Sequence, residues 1–197
     1  AYVISDPPYN QSYHYNEYKD NLENKEYEEL LESAFKGRKA VIIHYPEETV
    51  NILPKLLGNT EQVVSWVYPS NTAKQHRLVT WWNCKPDLKK VGQDYKNPND
   101  KRIAKRIKEG KRARLYDWWE INQVKNVSKE KTNHPCQMPL EVMRRVVGVL
   151  PEDYVIVDPF MGSGTTGLAC KELGRSFIGI EMDEQYYNIS KERLACG

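Results

Sequence analysis

The chain has 197 residues, a length that suits one α/β domain with a substantial core. Hydrophobic residues make up 40% and charged residues 28%, which is typical of a globular protein. The apolar runs are too short to cross a bilayer, so we expect no membrane partner. The four cysteines are too widely spaced for a zinc site and favour reduced thiols over a disulfide framework: Cys84, Cys136, Cys170 and Cys196.

The net charge of +2 conceals an uneven distribution. Residues 85–134 contain 15 basic and 7 acidic side chains, which leaves 14 basic and 20 acidic side chains for the rest of the chain. Such a concentration of basic charge is typical of a nucleic-acid contact. On charge alone, a solvated lysine-rich insertion is an equally good interpretation.

The chain opens on a β-branched run, residues 2–5, which predicts a buried strand followed by a tyrosine-rich loop. A helix is predicted over 26–35, a second buried strand over 40–44 and a helix over 50–57. Strands over 62–68 and 77–82 are expected to pair as a hairpin at the end of the sheet.

The composition changes at residue 85. Residues 85–133 have few aliphatic side chains, a basic helix predicted over 100–109, and aromatic side chains of which Trp118 and Trp119 are expected to pack this segment onto the body. Beyond it we predict helices over 139–150, 165–173 and 183–194 and strands over 154–157 and 176–180. The alternation predicts an α/β fold, a mostly parallel twisted sheet with helices on both faces.

The first motif with chemical meaning is the glycine-rich turn from Asp158 to Thr166. Glycines let a ligand approach the backbone, and the following helix offers unpaired N–H groups. Glu181 ends the next strand about twenty residues later, where an acid can hold ribose hydroxyls. A phosphate-binding loop would continue as Gly-Lys-Ser/Thr, and a dinucleotide fingerprint needs a third glycine, so we expect another nucleotide-like cofactor.

The second motif, Asp6-Pro7-Pro8-Tyr9, ends the first strand. Its carboxylate and the Pro7 carbonyl can accept both hydrogens of a planar amine, Pro8 stiffens the turn, and Tyr9 can stack on a ring. An isolated match is equally compatible with a rigid surface turn. Because both motifs follow buried strands, we expect them to meet where an open α/β sheet binds its ligands.

Together these motifs resemble the DNA amino-methyltransferases, which modify the exocyclic nitrogen of adenine or cytosine. The turn at Asp158 resembles their S-adenosylmethionine loop, and residues 177–181 resemble the strand whose acid binds the ribose. Residues 133–140 resemble a His-Pro-Thr-Gln-Lys-Pro-Leu segment, with Cys136 in place of Thr and Met138 in place of Lys. The resemblance implies S-adenosyl-L-methionine as cofactor and these binding residues: His134, Cys136, Asp158, Phe160, Gly162, Ser163, Gly164, Thr165 and Glu181.

The resemblance also implies that the family's catalytic tetrapeptide is Asp6, Pro7, Pro8 and Tyr9. A leading Asp generally accompanies adenine N6 in that family and a leading Ser cytosine N4, so we expect adenine methylation of duplex DNA after base flipping. Tyr13, His14 and Tyr15 are expected either to fold over the flipped base or to face solvent. Cytosine-N4 transfer, transfer to an amine of RNA or of a protein glutamine, and a catalytically silent DNA-binding protein of the same fold stay open as alternatives. The basic segment favours a nucleic acid over a protein substrate.

The motif order resembles the permuted class of the family. Residues 1–84 are then the catalytic half, residues 134–197 the cofactor half, and residues 85–133 the target-recognition region. We expect this region to bind double-stranded DNA, with phosphate contacts from Lys101, Arg102, Lys105, Arg106, Lys111, Arg112 and Arg114. In that class an acid-bearing strand precedes the catalytic strand. Either a further segment precedes Ala1, which we favour, or the sheet is one strand short. Methyl transfer of this kind needs no metal ion. We expect the protein to lie in the cytoplasm of a bacterium or of a phage-infected host. Two questions stay open. One is whether a cognate restriction endonuclease accompanies the protein, as in restriction–modification, and the other is whether the protein is a monomer or a homodimer.

Overall fold

The computed structural model describes residues 1–196, with side chains up to residue 195. Its centre is a seven-stranded sheet in the order β7-β3-β4-β2-β1-β8-β9. The strands of this sheet are β1 (Tyr2–Ser5), β2 (Ala40–His44), β3 (Thr60–Val67), β4 (His76–Trp82), β7 (Trp118–Glu120), β8 (Ile156–Asp158) and β9 (Phe177–Gly179).

The helices and a small ribbon surround this sheet. The helices are α1 (Asn24–Phe35), α2 (Pro46–Asn51), α3 (Leu53–Leu57), α4 (Lys101–Lys108), α5 (Leu140–Gly148), α6 (Thr165–Glu172) and α7 (Glu184–Cys196). The separate ribbon pairs β5 (Gly92–Gln93) with β6 (Ala113–Arg114). No helix within residues 1–196 is both long and apolar enough to cross a membrane.

The sheet is mostly parallel, which confirms the predicted α/β class. β4 runs antiparallel to both of its neighbours, β2 and β3, while the other pairings of the sheet are parallel. The predicted hairpin is therefore present as β3 and β4, but it does not end the sheet. β7 lies outside it, paired in parallel with β3, and its three residues carry too little periodicity to be predicted as a strand.

Alternate residues of the inner strands face two different cores. Ile4 of β1 and Val41 of β2 belong to a core that also contains residues of α5 and α6. Val3 and Ile42, one position away in each strand, belong to a second core with residues of α1 and α3. Burial on both faces explains why these strands are continuous apolar runs instead of alternating ones.

The strand order reverses between β1 and β8. From β1 the chain crosses to β2 on one side, and from β8 it crosses to β9 on the other side. Crossovers that leave in opposite directions open a crevice beyond the carboxyl ends of the two strands, and this is where open α/β sheets bind ligands. Asp6 directly follows β1 and Asp158 ends β8, so both motifs lie at this crevice.

The helix predicted over 50–57 is wrong as one helix. The chain forms α2 and α3, separated at Ile52, which has φ −107°. Pro54 has no N–H to donate to the carbonyl four residues before it, and its ring crowds that carbonyl, so the helix restarts at this point. α2 begins earlier than expected because Pro46 occupies its first turn, where proline is favoured.

Part of the basic segment, residues 85–133, packs into the main body. α4 is exposed, and Asp100 caps it by accepting hydrogen bonds from the backbone N–H of Arg102 and Ile103. Leu115 and Trp119 are buried in the larger core, while Trp118 faces outward beneath the ammonium of Lys96. The division into residues 1–84, 85–133 and 134–197 stays a prediction, and β7 links the middle part to the sheet.

We expect the two neighbouring tryptophans of β7 to respond differently to truncation. Trp119 is 1% exposed and packs edge-on against Trp81 with ring centroids 6.4 Å apart, so Trp119→Ala should lower the free energy of unfolding by about 3–5 kcal/mol. Trp118→Ala should change it by less than about 1 kcal/mol, since 40% of Trp118 is exposed. Urea unfolding of both variants checks this, and equal reductions would contradict the burial pattern.

Candidate active site at the carboxyl ends of β1 and β8

One cavity of about 390 Å³ lies at the crevice between β1 and β8. Its lining includes the whole tetrapeptide from Asp6 to Tyr9 and most of the turn from Asp158 to Thr166. His134, Cys136 and Glu181 complete it from other parts of the chain. The fold thus brings the two sequence motifs, about 150 residues apart, to a single site of a size that suits a small organic ligand.

Asp158 joins the two halves of the site. Its carboxylate accepts hydrogen bonds from Ser5 Oγ (2.6 Å), Thr166 Oγ1 (2.6 Å) and the Phe160 N–H (3.1 Å). Burial raises the pKa of Asp158 to about 6, although all three donors favour the ionised form. With one oxygen bound to β1 and the other to α6, this carboxylate holds the strands and the turn in place.

The two glycines of the turn are required by close approaches. Gly162 has φ +51°, and a Cβ there would lie 2.8 Å from Nε2 of His134. Gly164 has φ +76°, and a Cβ there would lie 2.8 Å from the Cβ of Ser190 in α7. Arg193 of α7 also donates to the carbonyl of Ser163 at 2.6 Å. The turn therefore packs closely between the His134 segment and α7, and it lines the cavity.

Two acids line the cavity beyond β9. Glu181 accepts from the Gly162 N–H through Oε2 (2.8 Å) and from the Asp183 N–H through Oε1 (2.9 Å). A carboxylate has about four acceptor positions, so Glu181 retains capacity for ligand hydroxyls. Asp183 accepts from the Tyr186 N–H through Oδ1, while its Oδ2 is buried without a hydrogen-bond partner among the described residues.

His134 and Cys136 close the cavity from the segment before α5. His134 packs against the ring of Tyr186 with centroids 4.4 Å apart, and its Nδ1 is buried without a partner among the described residues. Burial, helped by nearby Lys131, lowers the pKa of His134 to about 4, so the imidazole is neutral at pH 7. Burial also raises the pKa of the Cys136 thiol, which keeps this side chain protonated.

Asp6 lies in the cavity in contact with two other residues. The Tyr9 hydroxyl donates to Asp6 Oδ1, and Nη1 of Arg77 lies 4.0 Å from Oδ2. Burial raises the pKa of Asp6, and Arg77 opposes this shift as the nearest positive charge. The carboxylate therefore faces the cavity with a positive charge behind it.

A hydrogen-bond relay fixes the backbone of the tetrapeptide. The Tyr45 N–H donates to Nδ1 of His44 at 2.8 Å, which places the ring proton on Nε2. That nitrogen lies 2.6 Å from the Tyr27 hydroxyl, which in turn donates to the Pro8 carbonyl at 2.9 Å. Within residues 1–196 the Pro7 carbonyl takes part in no hydrogen bond, so it remains a candidate acceptor for a ligand.

Buried Asp20 organises the loop after the tetrapeptide. Its carboxylate accepts from the backbone N–H groups of Asn10 (2.8 Å), Gln11 (2.9 Å) and Tyr13 (3.0 Å). This arrangement holds Tyr13 and Tyr15 against the cavity, whereas His14 is exposed and pairs across the loop with Lys19. Tyr13 is still 45% exposed, so both interpretations of this loop stay predictions.

Most of the residues predicted for the site meet in this cavity. The lining contains Asp6, Pro7, Pro8, Tyr9, His134, Cys136, Asp158, Phe160, Gly162, Ser163, Thr165 and Glu181. Gly164 lies behind them against α7. The seven basic residues predicted to bind DNA are exposed on α4 and around β6, outside the cavity lining.

Several residues of the site had no signal in the sequence. Asp20, Tyr27, Arg77, Asp183 and Tyr186 act through contacts across the fold, outside any short motif. His44 was visible only as a histidine that suggests no metal. An isolated tyrosine or arginine in a helix or strand carries no periodicity or spacing from which its role can be predicted.

The fold and the cavity are those of an α/β protein that binds a nucleotide-like ligand at the point where the strand order reverses. Residues 35–192 match the family model described as DNA methylase, that of the N6 and N4 methyltransferases. The chain therefore belongs to this family, which confirms the resemblance seen in the motifs.

Individual relatives agree with this assignment. The chain is 27% identical to the type II methyltransferase M.HpaI of Haemophilus parainfluenzae, over 98% of this chain and 67% of that protein. It is 40% identical to M.ScaI of Streptomyces caespitosus, over 68% of this chain and 49% of that protein. The chain thus spans between about half and two thirds of the length of these relatives.

Two solved structures share the architecture. The M1.HpyAVI–SAM complex superposes with a TM-score of 0.59 and 26% identity, over 98% of this chain and 88% of that one. The cytosine-N4-specific PvuII DNA methyltransferase superposes with a TM-score of 0.65 over 98% of this chain and 78% of that one. Its identity of 18% supports the fold alone.

We expect Asp158 to make the stability of the fold depend on pH. The folded state holds the Asp158 proton more tightly than the unfolded chain, so ionisation reduces stability as pH rises from about 4 through 6. Asp158→Asn cannot ionise and should gain up to roughly 3 kcal/mol relative to wild type over this range. Urea unfolding of both proteins at pH 4 to 7 measures the difference, and a constant difference would contradict the raised pKa.

Proposed function

We propose that this chain is the catalytic domain of an S-adenosylmethionine-dependent DNA methyltransferase that modifies the N6 amine of adenine. The observation that carries the proposal is the single cavity in which the Asp6 tetrapeptide faces the turn at Asp158. A methyl donor and an amine must be held in contact for direct transfer, and this cavity joins a nucleotide-type turn to a set of amine acceptors.

The residues present fit the cofactor. Gly162 lines the cavity, Glu181 retains acceptor positions for hydroxyls, and Asp183 offers a buried oxygen without a partner in the described structure. His134 adds a neutral nitrogen, also without a partner there, at the opposite wall. Unpaired buried polar atoms are costly, and a polar ligand that bonds to them removes that cost. When bound, S-adenosylmethionine supplies an electrophilic methyl group.

The tetrapeptide fits the amine. Oδ1 of Asp6 accepts from the Tyr9 hydroxyl in this structure, so a target amine takes over a hydrogen bond that the site already makes. The Pro7 carbonyl accepts the second amine hydrogen, and Tyr27 holds the neighbouring carbonyl so that the turn keeps its shape. Two acceptors draw the nitrogen toward tetrahedral geometry and direct its lone pair to the methyl group.

Adenine is the proposed base because the tetrapeptide begins with Asp6. In the family that the motifs resemble, a leading Asp generally accompanies adenine. The lining also contains the rings of Tyr13, Tyr15 and Tyr45 beside Tyr9, which offer stacking surfaces for a base turned out of the duplex.

The decisive experiment is transfer of labelled methyl from S-adenosylmethionine to unmethylated duplex DNA, with the products digested to nucleosides. Label in N6-methyladenine supports the proposal. Label in N4-methylcytosine would show that the target base is cytosine and not adenine, while the enzyme class would stay the same. DNA binding and cofactor binding without label in either nucleoside would favour a catalytically silent DNA-binding protein.

We expect Asp6→Ala to abolish detectable transfer, because the amine loses its charged acceptor; a loss of at least about 100-fold in kcat is expected. Binding of S-adenosylmethionine, measured by calorimetry, should change by less than about threefold, since the Gly162 turn is untouched. Asp153→Ala, a change of an exposed aspartate outside the cavity lining, is the control and should retain full activity. Normal turnover of Asp6→Ala would disprove the acceptor role.

The exposed basic side chains of α4 are proposed to bind DNA phosphates. Replacing Lys101, Arg102, Lys105 and Arg106 by Gln should weaken DNA binding and lower the slope of log K against log salt by about 0.9 for each phosphate that is no longer neutralised. The matched control replaces four exposed basic residues outside this segment: Lys25, Lys36, Arg38 and Lys55. Equal slopes for both variants would show that α4 contributes only general charge.

A further inference from the structure

Arg77 lies behind the tetrapeptide in a cage of aromatic rings. It extends from β4, the strand that runs against the direction of the sheet, and its side chain is 12% exposed. Its guanidinium carbon lies 4.9 Å from the ring centroid of Tyr9, 5.3 Å from those of Tyr45 and Trp66, and 5.8 Å from that of Tyr68. A desolvated cation among π faces is attracted to each of them, so this cluster is held together by its charge.

The polar contacts of Arg77 also lie on the side of Asp6 and the cavity. Nη1 lies 4.0 Å from Oδ2 of Asp6, the one carboxylate within this distance among the described side chains. Its Nε is buried and makes no hydrogen bond within the described structure. A buried arginine with a purely structural role normally satisfies its donors with carbonyls or a paired carboxylate. Here the guanidinium instead faces the cavity with spare donors and one acidic neighbour.

We propose that Arg77 is a positioning residue of the methyl-transfer site, which fixes the Asp6 carboxylate and the Tyr9 ring relative to each other. The inference rests on the proposed function and extends it from the tetrapeptide to a residue of β4. Tyr9 is bound on its hydroxyl by Asp6 and on its face by Arg77, while Asp6 is bound by both. The three side chains therefore form a closed triangle in which each one limits the movement of the other two.

The charge of Arg77 has a consequence for catalysis. Asp6 accepts an amine hydrogen well only as a carboxylate, and burial disfavours that form. Arg77 is the strongest influence in the opposite direction. The other titratable groups that face Asp6 from neighbouring elements are Tyr9, Tyr15, Tyr27, His44, Tyr68, Cys136 and Asp158. Of these only His44 can carry a positive charge, and its influence on Asp6 is smaller than that of Arg77.

A structural role and a positioning role give different results in two variants. Arg77→Met retains the bulk among the rings but removes the charge, so kcat should fall about tenfold or more at pH 7, with the acid limb of the kcat profile moved to higher pH. Arg77→Lys restores the charge without the planar group, so the acid limb should return toward the wild-type position. Binding of S-adenosylmethionine should stay within about threefold in both variants.

Arg145→Met provides a matched control. Arg145 also stacks on a buried tryptophan, Trp119 at 5.6 Å, and pairs with Glu141 at 2.9 Å, yet it lies outside the cavity lining. This variant removes an arginine–aromatic contact of the same kind and should leave the pH profile unchanged. If Arg77→Met retained wild-type kcat and an unmoved acid limb, or if Arg145→Met moved the limb equally, the proposal would be overturned.

A second measurement separates this inference from the proposed function. Carbon-13 NMR titration of the aspartate carboxyls, with Asp6 assigned by its loss in Asp6→Asn, follows ionisation without any turnover. Arg77→Met should move the Asp6 titration to higher pH even if the wild-type protein methylates no DNA, in which case the proposed function fails while the positioning of Asp6 by Arg77 stands. An Asp6 titration that is the same in wild type and Arg77→Met overturns the inference whatever the activity.

Discussion

The parallel pairing of β1 with β8 is the constraint on which the site depends. These strands are joined by the hydrogen bond from Ser5 Oγ to Asp158 Oδ1, which spans 153 residues of sequence. Ser5 immediately precedes Asp6, and Asp158 begins the glycine turn, so this contact helps to set the distance between the proposed amine acceptors and the proposed cofactor turn. Their neighbours cross over in opposite directions, which keeps the space above this pair open.

Other features of the fold serve to stiffen the two sides of that space. On the β1 side, Tyr27 from α1 and His44 from β2 hold the Pro8 carbonyl, and Asp20 holds the loop that follows. On the β8 side, Arg193 from α7 donates a hydrogen bond to the carbonyl of Ser163. Each side is thus fixed from its own core, and a rigid site loses less entropy when it orders a ligand.

The sequence predicted the parts of the site that lie within short motifs. Asp6 and Gly162 were singled out because turn chemistry and buried apolar runs are local properties, and the strands predicted over 40–44 and 77–82 followed from the same runs. Arg77 and Tyr27 were not identified, because their roles arise from pairings such as Ile42 with Thr80 that local patterns do not specify. β7 was missed for the same reason, since its place beside β3 depends on the burial of one tryptophan.

Hydrogen bonding, and not burial, distinguishes two aspartates that line the cavity, Asp6 and Asp158. Burial raises the pKa of both Asp6 and Asp158, so desolvation alone does not distinguish them. Asp158 accepts hydrogen bonds from three donors in three segments, which make it part of the framework. Asp6 is held by a tyrosine hydroxyl, which a ligand can replace, and by a guanidinium at 4.0 Å, which attracts without saturating it. A carboxylate with free acceptor positions can accept a hydrogen from a substrate, which is why the proposed chemistry is placed on Asp6 and the framework role on Asp158.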